Sequence, residues 1–557
     1  MTADRLIYLP LGGAGEIGMN AYVYGYGQPG KERLILVDLG VTFPDMDTTP
    51  GVNLIMPDVT WLEENADRLE AVFITHAHED HVGAVGRLYQ KLKAPIHARP
   101  FTRFHAQRKM EEAGQVAEAV IAADIYPQVI KAGPFSVSYL PLSHSIPESA
   151  GLIIDSPAGR VVHTGDFKLD ENPVLGDAFD ETLWREIAKP KDGRRVKALV
   201  CDSTNVFSNN PGRSESEVGP ELVKLIKGAD KMVVATTFAS NVARVKQLAE
   251  AGVAAGRSVC LLGRSMQRMI MAGEETGVLG KFPHTISVED ARDVPRDNLM
   301  LIVTGSQGER RAASAQLARG KYLGLSMKEG DMFLFSSKTI PGNERGVIRI
   351  MNAYSEMGVD VVAENDRYHV SGHANRPDLE RVHEMINPEM VIPMHGEHRH
   401  LREHTRLAED AGRKAMVVVN GAMCDLTGDA PHIVEHVEAD RVYLDGNILI
   451  GALDGVVRDR IRMALNGHVI VNVIVEGDEP LGEPWVEIMG LSELGSSKAP
   501  LVDILEEDLG QFLMRAGKKT LRDDDKLGDE LKRIARKSTN DEIGHKPEVT
   551  VVVSRLE

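Results

Sequence analysis

The chain has 557 residues and a formal net charge of −18, with 43% hydrophobic and 26% charged residues, a globular balance too long for one core, so about two to four domains are expected. No apolar run approaches the roughly 18–20 residues of a membrane span, the opening MTADRLIYLPLGG lacks the pattern of a signal peptide, and three scattered cysteines, Cys201, Cys260 and Cys424, exclude a disulfide framework and point to a reducing cytoplasm. The acidic balance argues only weakly against nucleic acid as a partner, because bound cations or a basic groove can offset it locally.

In chain order, RLIYLPL, NAYVYGY and RLILVDLG alternate as strands do. A helix-like stretch, VTWLEENADRLE, follows, and then the strand AVFITH. PFSVSYLPLSHS, AGLIIDSP, GRVVHTGDF and KALVCDSTN read as further strands broken by Pro and Gly. This succession suggests half of a sandwich. After about Gly212 the pattern changes. KMVVATTF, SVCLLGR, LMLIVTGS and DMFLFSS each precede a helical stretch such as NVARVKQLAEAG, which predicts a parallel, doubly wound sheet. From about Val359 the earlier style returns with VDVVAEN, MVIPMHGE and AMVVVNG, so the α/β unit reads as an insertion. A last segment ends in the strand KPEVTVVVSRLE, with KKTLRDDDKLGDELKRIARKSTND before it as a solvated helix with flanking loops. The expected boundaries are 1–211 and 358–440 for the first domain, 212–357 for the insertion, 441–460 for a linker and 461–557 for a small C-terminal α/β domain.

The chemistry concentrates in THAHEDHVG. His76, His78, Asp80 and His81 put four possible ligands into six positions after an apolar strand. On an extended segment alternate residues share a side, so His76 and His78 can reach one metal. Asp80 and His81, past a turn, can address a second, and imidazole and carboxylate are ligands zinc prefers. Further ligands must come from afar: His144 in LSHSIPES, Asp166 in VVHTGDFK and His395 in VIPMHGEHRH, each just past a strand. A carboxylate such as Asp166 suits a bridge between two ions. The stretch GGAGEIG fits the dinucleotide fingerprint G-x-G-x-x-G, but a strand follows where that fingerprint must open a helix, so it reads as a Gly-rich hairpin.

With Asp38 in LVDLG, Asp202 in CDSTN and His373 in SGHA, these motifs form an ordered set that resembles the ribonuclease J family, in the β-CASP branch of the metallo-β-lactamase superfamily, over essentially the whole chain. The resemblance implies an α/β fold: a metallo-β-lactamase αββα sandwich, an inserted doubly wound β-CASP domain and a small C-terminal α/β domain for oligomerisation. It implies that His76, His78 and His144 hold one zinc, that Asp80, His81 and His395 hold the other, and that Asp166 bridges them, manganese being an alternative metal. Asp38 would orient a ligand histidine. His373 would contact the scissile phosphate and Asp202 assist proton transfer. RNA contacts are expected from His369, Val370, Ser371, Gly372, His373 and Ala374, and from Ser240, Asn241 and Arg264 at strand-to-helix junctions, where free N–H groups favour an anion. Capping is the plain alternative for Ser240 and Asn241.

The implied function is a cytoplasmic zinc-dependent ribonuclease, acting as a 5′-to-3′ exonuclease and an endonuclease through a hydroxide shared by the two metals. It would serve rRNA 5′-end maturation and mRNA decay on single-stranded RNA with a 5′ monophosphate. Homodimers or homotetramers, and membership of an RNA-degradation complex, are expected by the same resemblance. Rival readings are a tRNA 3′-processing, thioester or lactam hydrolase on the same fold, and a non-catalytic RNA-binding subunit.

Overall fold

The computed structural model describes residues 3–190, 193–363 and 365–556. They fall into two compact units, Met1–Thr42 with Met56–Arg441, and Phe43–Ile55 with Val442–Glu557. No helix among the described residues is long and apolar enough to cross a membrane.

In the first unit, eight-stranded and seven-stranded sheets share one core. The side-chain period of two decides which way each strand faces. In Gly159–His163, Val161 joins the core between the sheets, together with Tyr22, Phe73, Tyr139 and Ile392. Its neighbour Val162 points the other way, to a layer where Trp184, Leu379, Val382 and Leu407 from three helices cover the outer face. Glu181–Ile187 among these helices is capped by Asp180, whose carboxylate accepts from the backbone of Thr182 and Leu183. Helix VTWLEENADRLE is shorter than expected: it spans Thr60–Glu64, and Leu69 already begins the next strand.

The insertion opens between two adjacent strands. Ala198–Asp202 pairs in parallel with Met390–Met394 from Ala198↔Met390 to Asp202↔Met394, although the chain between them builds a sheet of its own. That sheet has five parallel strands, in the order Ser258–Leu262, Leu299–Val303, Val233–Thr236, Met332–Phe335 and Asp360–Val362. Val233 and Ala235 face one helical layer, and Met232 and Val234 the other, so the sheet is doubly wound. One expected strand lies elsewhere: Asp360–Val362 closes this inserted sheet and does not return to the sandwich, so the parallel sheet runs past residue 357.

In the second unit, Val469, Val471, Val473 and Val475 alternate along the strand His468–Glu476 and pack on Leu501, Leu505, Leu509 and Leu513 of helix Leu501–Arg515. The charged stretch expected to be solvated forms helix Asp524–Ile543, and a leucine stripe at Leu527 and Leu531 buries one of its faces. The expected linker 441–460 is structured, as a hairpin of Arg441–Asp445 with Ile448–Gly451 and then helix Val456–Asn466. The helix in the charged stretch is as expected, and only its buried leucine stripe, diluted by charged residues on the wet face, was not.

Candidate metal centre

The motif residues gather where strands of the sandwich end. His76 and His78 follow Leu69–Ile74, His144 follows Phe135–Pro141, Asp166 follows Gly159–His163 and His395 follows Met390–Met394. Asp80 and His81 ride on the short helix Glu79–Val82. Two ligand groups result, His76, His78, His144 and Asp166, and Asp80, His81, Asp166 and His395, with ligand atoms inside each group all within 4.8 Å of one another. Asp166 belongs to both.

In the first group, His76 Nε2 and His144 Nε2 lie 3.0 and 3.1 Å from His78 Nδ1. The three rings stand at 76–81° to one another. Nitrogens at these distances on near-perpendicular rings can serve one ion without stacking on each other. The ring tautomers are assigned from the partners of the opposite nitrogens. His144 Nδ1–H donates to the Gly372 carbonyl at 2.6 Å. The Thr75 hydroxyl donates to Asp38 Oδ2 at 2.9 Å and so can accept from His76 Nδ1–H at 3.0 Å. A Cβ at position 372 would sit 2.9 Å from the His144 ring, so only glycine brings that carbonyl so close.

In the second group, His81 Nδ1–H donates to Asp38 Oδ2 at 2.7 Å, which turns Nε2 toward Asp166 Oδ2 at 3.2 Å and Asp80 Oδ2 at 3.4 Å. Asp38 thus steadies one histidine of each group, directly and through Thr75. His395 Nε2 lies 3.3 Å from Asp80 and Nδ1 2.5 Å from Asp166 Oδ1. Short as these approaches are, their angles make no hydrogen bond: both His395 nitrogens and Asp166 Oδ1 are buried with ionic contacts alone. His395 also holds a left-handed backbone, φ 47°, which a non-glycine residue adopts at a cost of order 1–3 kcal/mol. Imidazole and carboxylate donors gathered this closely, with Asp166 shared by both groups, are the ligand types zinc takes, so the residues fit divalent metal.

Electrostatics separate the groups. Burial, more than any neighbour, pushes His78 down to about 4 and His76 and His144 well below the usual imidazole range. Burial also opposes charge on His395, but the Asp166 and Asp80 carboxylates push it up to about 10. Against its own desolvation, Asp166 is held well below the carboxylate range by His395 and His81. Without metal, the three histidines of the first group are neutral at pH 7, and the second group is a set of imidazolium–carboxylate pairs.

His373 sits at the rim with its side chain 22% exposed, and its Nδ1 meets Asp202 Oδ2 at 2.8 Å. Asp202 Oδ1 accepts from the Thr204 N–H and hydroxyl, which fixes the carboxylate. Burial disfavours a charged His373, yet the charge of Asp202 and this bond hold its pKa above the ordinary value. Asp166, Asp202, His373 and His395 form a third grouping of the same dimensions.

The other expected contact residues divide. Ser371 Oγ accepts from the His373 N–H and the Asn205 amide. Val370 packs in the core of the inserted domain and Ala374 in the layer beside the sandwich, so only their backbone is free for a ligand. His369 is largely buried, its Nδ1 unpartnered, and burial pushes it down to about 3. Asn241 caps helix Val242–Ala254 by accepting from Arg244 N–H. Arg264 is exposed at the start of helix Arg264–Glu275, and Ser240 precedes the Asn241 cap. Sequence reasoning missed Thr75, Asn20 and Arg244. The last is wholly buried, and its guanidinium donates to the Tyr368 carbonyl just before His369 and to Glu215. An arginine between the valines of NVARVKQ was its signal.

A fourth grouping, Cys201, His383 and His404, is also buried. Here the His383 and His404 rings lie 10° from parallel with Nε2 atoms 3.0 Å apart and centroids 5.1 Å apart. Those distances put the rings head to head and nearly coplanar, not face on face. That is one N–H···N bond, with lone pairs on a single line and no shared point for an ion.

Residues 15–202 match the profile of the metallo-β-lactamase superfamily, and 230–354 match the ribonuclease J β-CASP domain. Residues 358–418 match the Zn-dependent metallo-hydrolase RNA specificity domain, and 455–556 the ribonuclease J C-terminal domain. Ribonuclease J of Sinorhizobium meliloti is 38% identical over 99% of this chain and 98% of its own. Ribonuclease J 1 of Streptococcus pyogenes is 36% identical over 84% and 82%, and ribonuclease J of Thermus thermophilus 32% over 86% and 84%. A solved protein of unknown function from Enterococcus faecalis V583, 17% identical, is alike in fold with a TM-score of 0.53 over 76% of this chain and all of its own.

Proposed function

The chain belongs to the ribonuclease J family of metal-dependent nucleases, and on that premise we propose that it hydrolyses single-stranded RNA with two zinc ions, or manganese in their place. His76, His78 and His144 would hold one ion, Asp80, His81 and His395 the other, and Asp166 would serve both. The observation that carries this reading is the clustering of His and Asp ligand atoms into two groups that share Asp166. The ions supply a lowered pKa for water and charge neutralisation at a phosphoryl group.

The chain's own residues do the rest. Asp38 and Thr75 fix ring orientations of His81 and His76, and the Gly372 carbonyl fixes His144. This last bond ties a metal ligand to the segment His369–Ala374, proposed to receive the substrate. With Nδ1 held by Asp202, His373 presents Nε2 to the scissile phosphate or the leaving oxygen. RNA contacts are assigned also to Ser240 and Arg264, and to the backbone beside the Asn241 cap. We place the boundaries of the sandwich, insertion and C-terminal domain as read from the sequence, amended at 358–362 and 441–460. Cytoplasmic action in rRNA 5′-end maturation and mRNA decay, in 5′-to-3′ exonucleolytic and endonucleolytic modes, is part of the proposal. So are a homodimer or homotetramer through the C-terminal domain and a place in an RNA-degradation complex.

Purified protein with zinc or manganese and 5′-monophosphorylated RNA is expected to release mononucleotides from the 5′ end, and 5′-triphosphorylated RNA more slowly. Equal rates would remove the monophosphate preference. Intact RNA beside a hydrolysed thioester would replace the nuclease reading.

A further inference from the structure

The Gly-rich stretch, set aside as a nucleotide site, lies against the metal centre. After strand Arg5–Gly12 the chain turns through Gly13, φ +83°. Ala14 and Gly15 then pair in parallel with Gly396 and Glu397, the two residues after His395. Asn20 follows, fully buried. Its side-chain carbonyl accepts from the Tyr22 hydroxyl at 2.6 Å, and its amide donates to the Asp80 carbonyl at 3.0 Å. The same amide nitrogen lies 3.4 Å from Asp80 Oδ2 and 3.0 Å from His81 Nε2. A flipped amide would turn its oxygen toward the Asp80 carbonyl and carboxylate, so the orientation is fixed by charge as well as by Tyr22. The Asn20 backbone N–H donates to the Asp80 carbonyl as well, at 2.9 Å. A Cβ on residue 13 would fall 2.1 Å from Asn20 Oδ1 and 2.4 Å from the Tyr22 hydroxyl, so only glycine can wrap the pair.

All these contacts fall on one side of the centre. Asn20 touches Asp80 and His81, and the turn pairs with the residues that follow His395. Among the described residues, its polar partners include none of His76, His78 and His144. We propose that Asn20, locked by Tyr22 and the Gly13 turn, is a positioning residue for one metal position only, the one served by Asp80, His81 and His395. This rests on the reading of those residues as metal ligands. Partners of ligands set side-chain orientation, and their loss weakens metal binding by about 10- to 100-fold.

The test is zinc affinity by competition with a chromophoric chelator, with ion counts by elemental analysis, for wild type, Asn20→Ala and Tyr22→Phe. Wild type is expected to bind two ions. Asn20→Ala should weaken one of them about 10- to 100-fold and leave the other unchanged, and Tyr22→Phe should shift the same ion by less. Melting of the metal-free proteins reads any general loss of fold separately, and if Asn20→Ala does not fold, Tyr22→Phe carries the test. Unchanged affinities for both ions, or equal weakening of both, would overturn the inference. A wild-type protein that binds no zinc would instead sink the ligand assignment beneath it.

Discussion

Two histidine clusters in the same unit, both with ring nitrogens about 3 Å apart, differ in what those nitrogens aim at. Around His78 the rings stand near 80° apart, with nitrogen approaches of 3.0 and 3.1 Å. Between His383 and His404 the rings are 10° from parallel and the approach is again 3.0 Å. The first arrangement brings three ring nitrogens together beside a carboxylate that a second ligand group shares. In the second, one proton satisfies both nitrogens, and Ser203 Oγ takes up His404 Nδ1 at 2.9 Å. Proximity of ligand-type residues is therefore a weak sign of metal. Ring orientation, together with a carboxylate shared between two groups, is the stronger one.

The largest contrast comes from removing ligands. His76→Ala with Asp80→Ala should abolish RNA cleavage and empty both positions, whereas His383→Leu should keep two bound ions. Elemental analysis of the two proteins decides, and an ion lost with His383 would collapse the contrast. Next in size, His373→Ala should lower kcat about 10²- to 10⁴-fold, the range for a general acid or base, with ion content unchanged. A lost ion there would place His373 in the third grouping, with Asp166, Asp202 and His395, as a ligand.

A smaller effect sharpens the division inside the centre itself. His395, raised to about 10, carries a proton at pH 7 that an ion must displace, so affinity at that position falls as pH is lowered from 8 to 6. His78, at about 4, is already neutral, so the other position should be nearly independent of pH over that range. Calorimetry in buffers of different ionisation heat would show proton release for one ion and none for the other. Proton release for both would erase the distinction. Smallest of all, His383→Leu should cost about 1–3 kcal/mol of stability by leaving His404 Nε2 without its partner, read from denaturant unfolding of the metal-free protein.

What could be read in the sequence follows from how local each feature is. The six-residue spacing from His76 to His81 is visible because one short segment supplies four ligand types. His144, Asp166 and His395 were findable only as polar residues just past apolar strands, and became a set through the ordered resemblance. Nothing local marks Asn20, since its role exists only once the sheet brings residue 20 beside residue 80. The strand Asp360–Val362 was misassigned because a short apolar run does not say which sheet it joins. Asn241 shows the opposite limit: a residue before a helix reads equally as anion contact or cap, and its carbonyl is taken by the cap.

The central claim, RNA hydrolysis that depends on both metal positions, is tested most directly by titrating zinc into chelated protein with labelled 5′-monophosphorylated RNA present. The account predicts negligible cleavage without zinc and full activity only as the second equivalent binds. Full-rate cleavage by the chelated protein, or intact RNA with two ions bound, would contradict it.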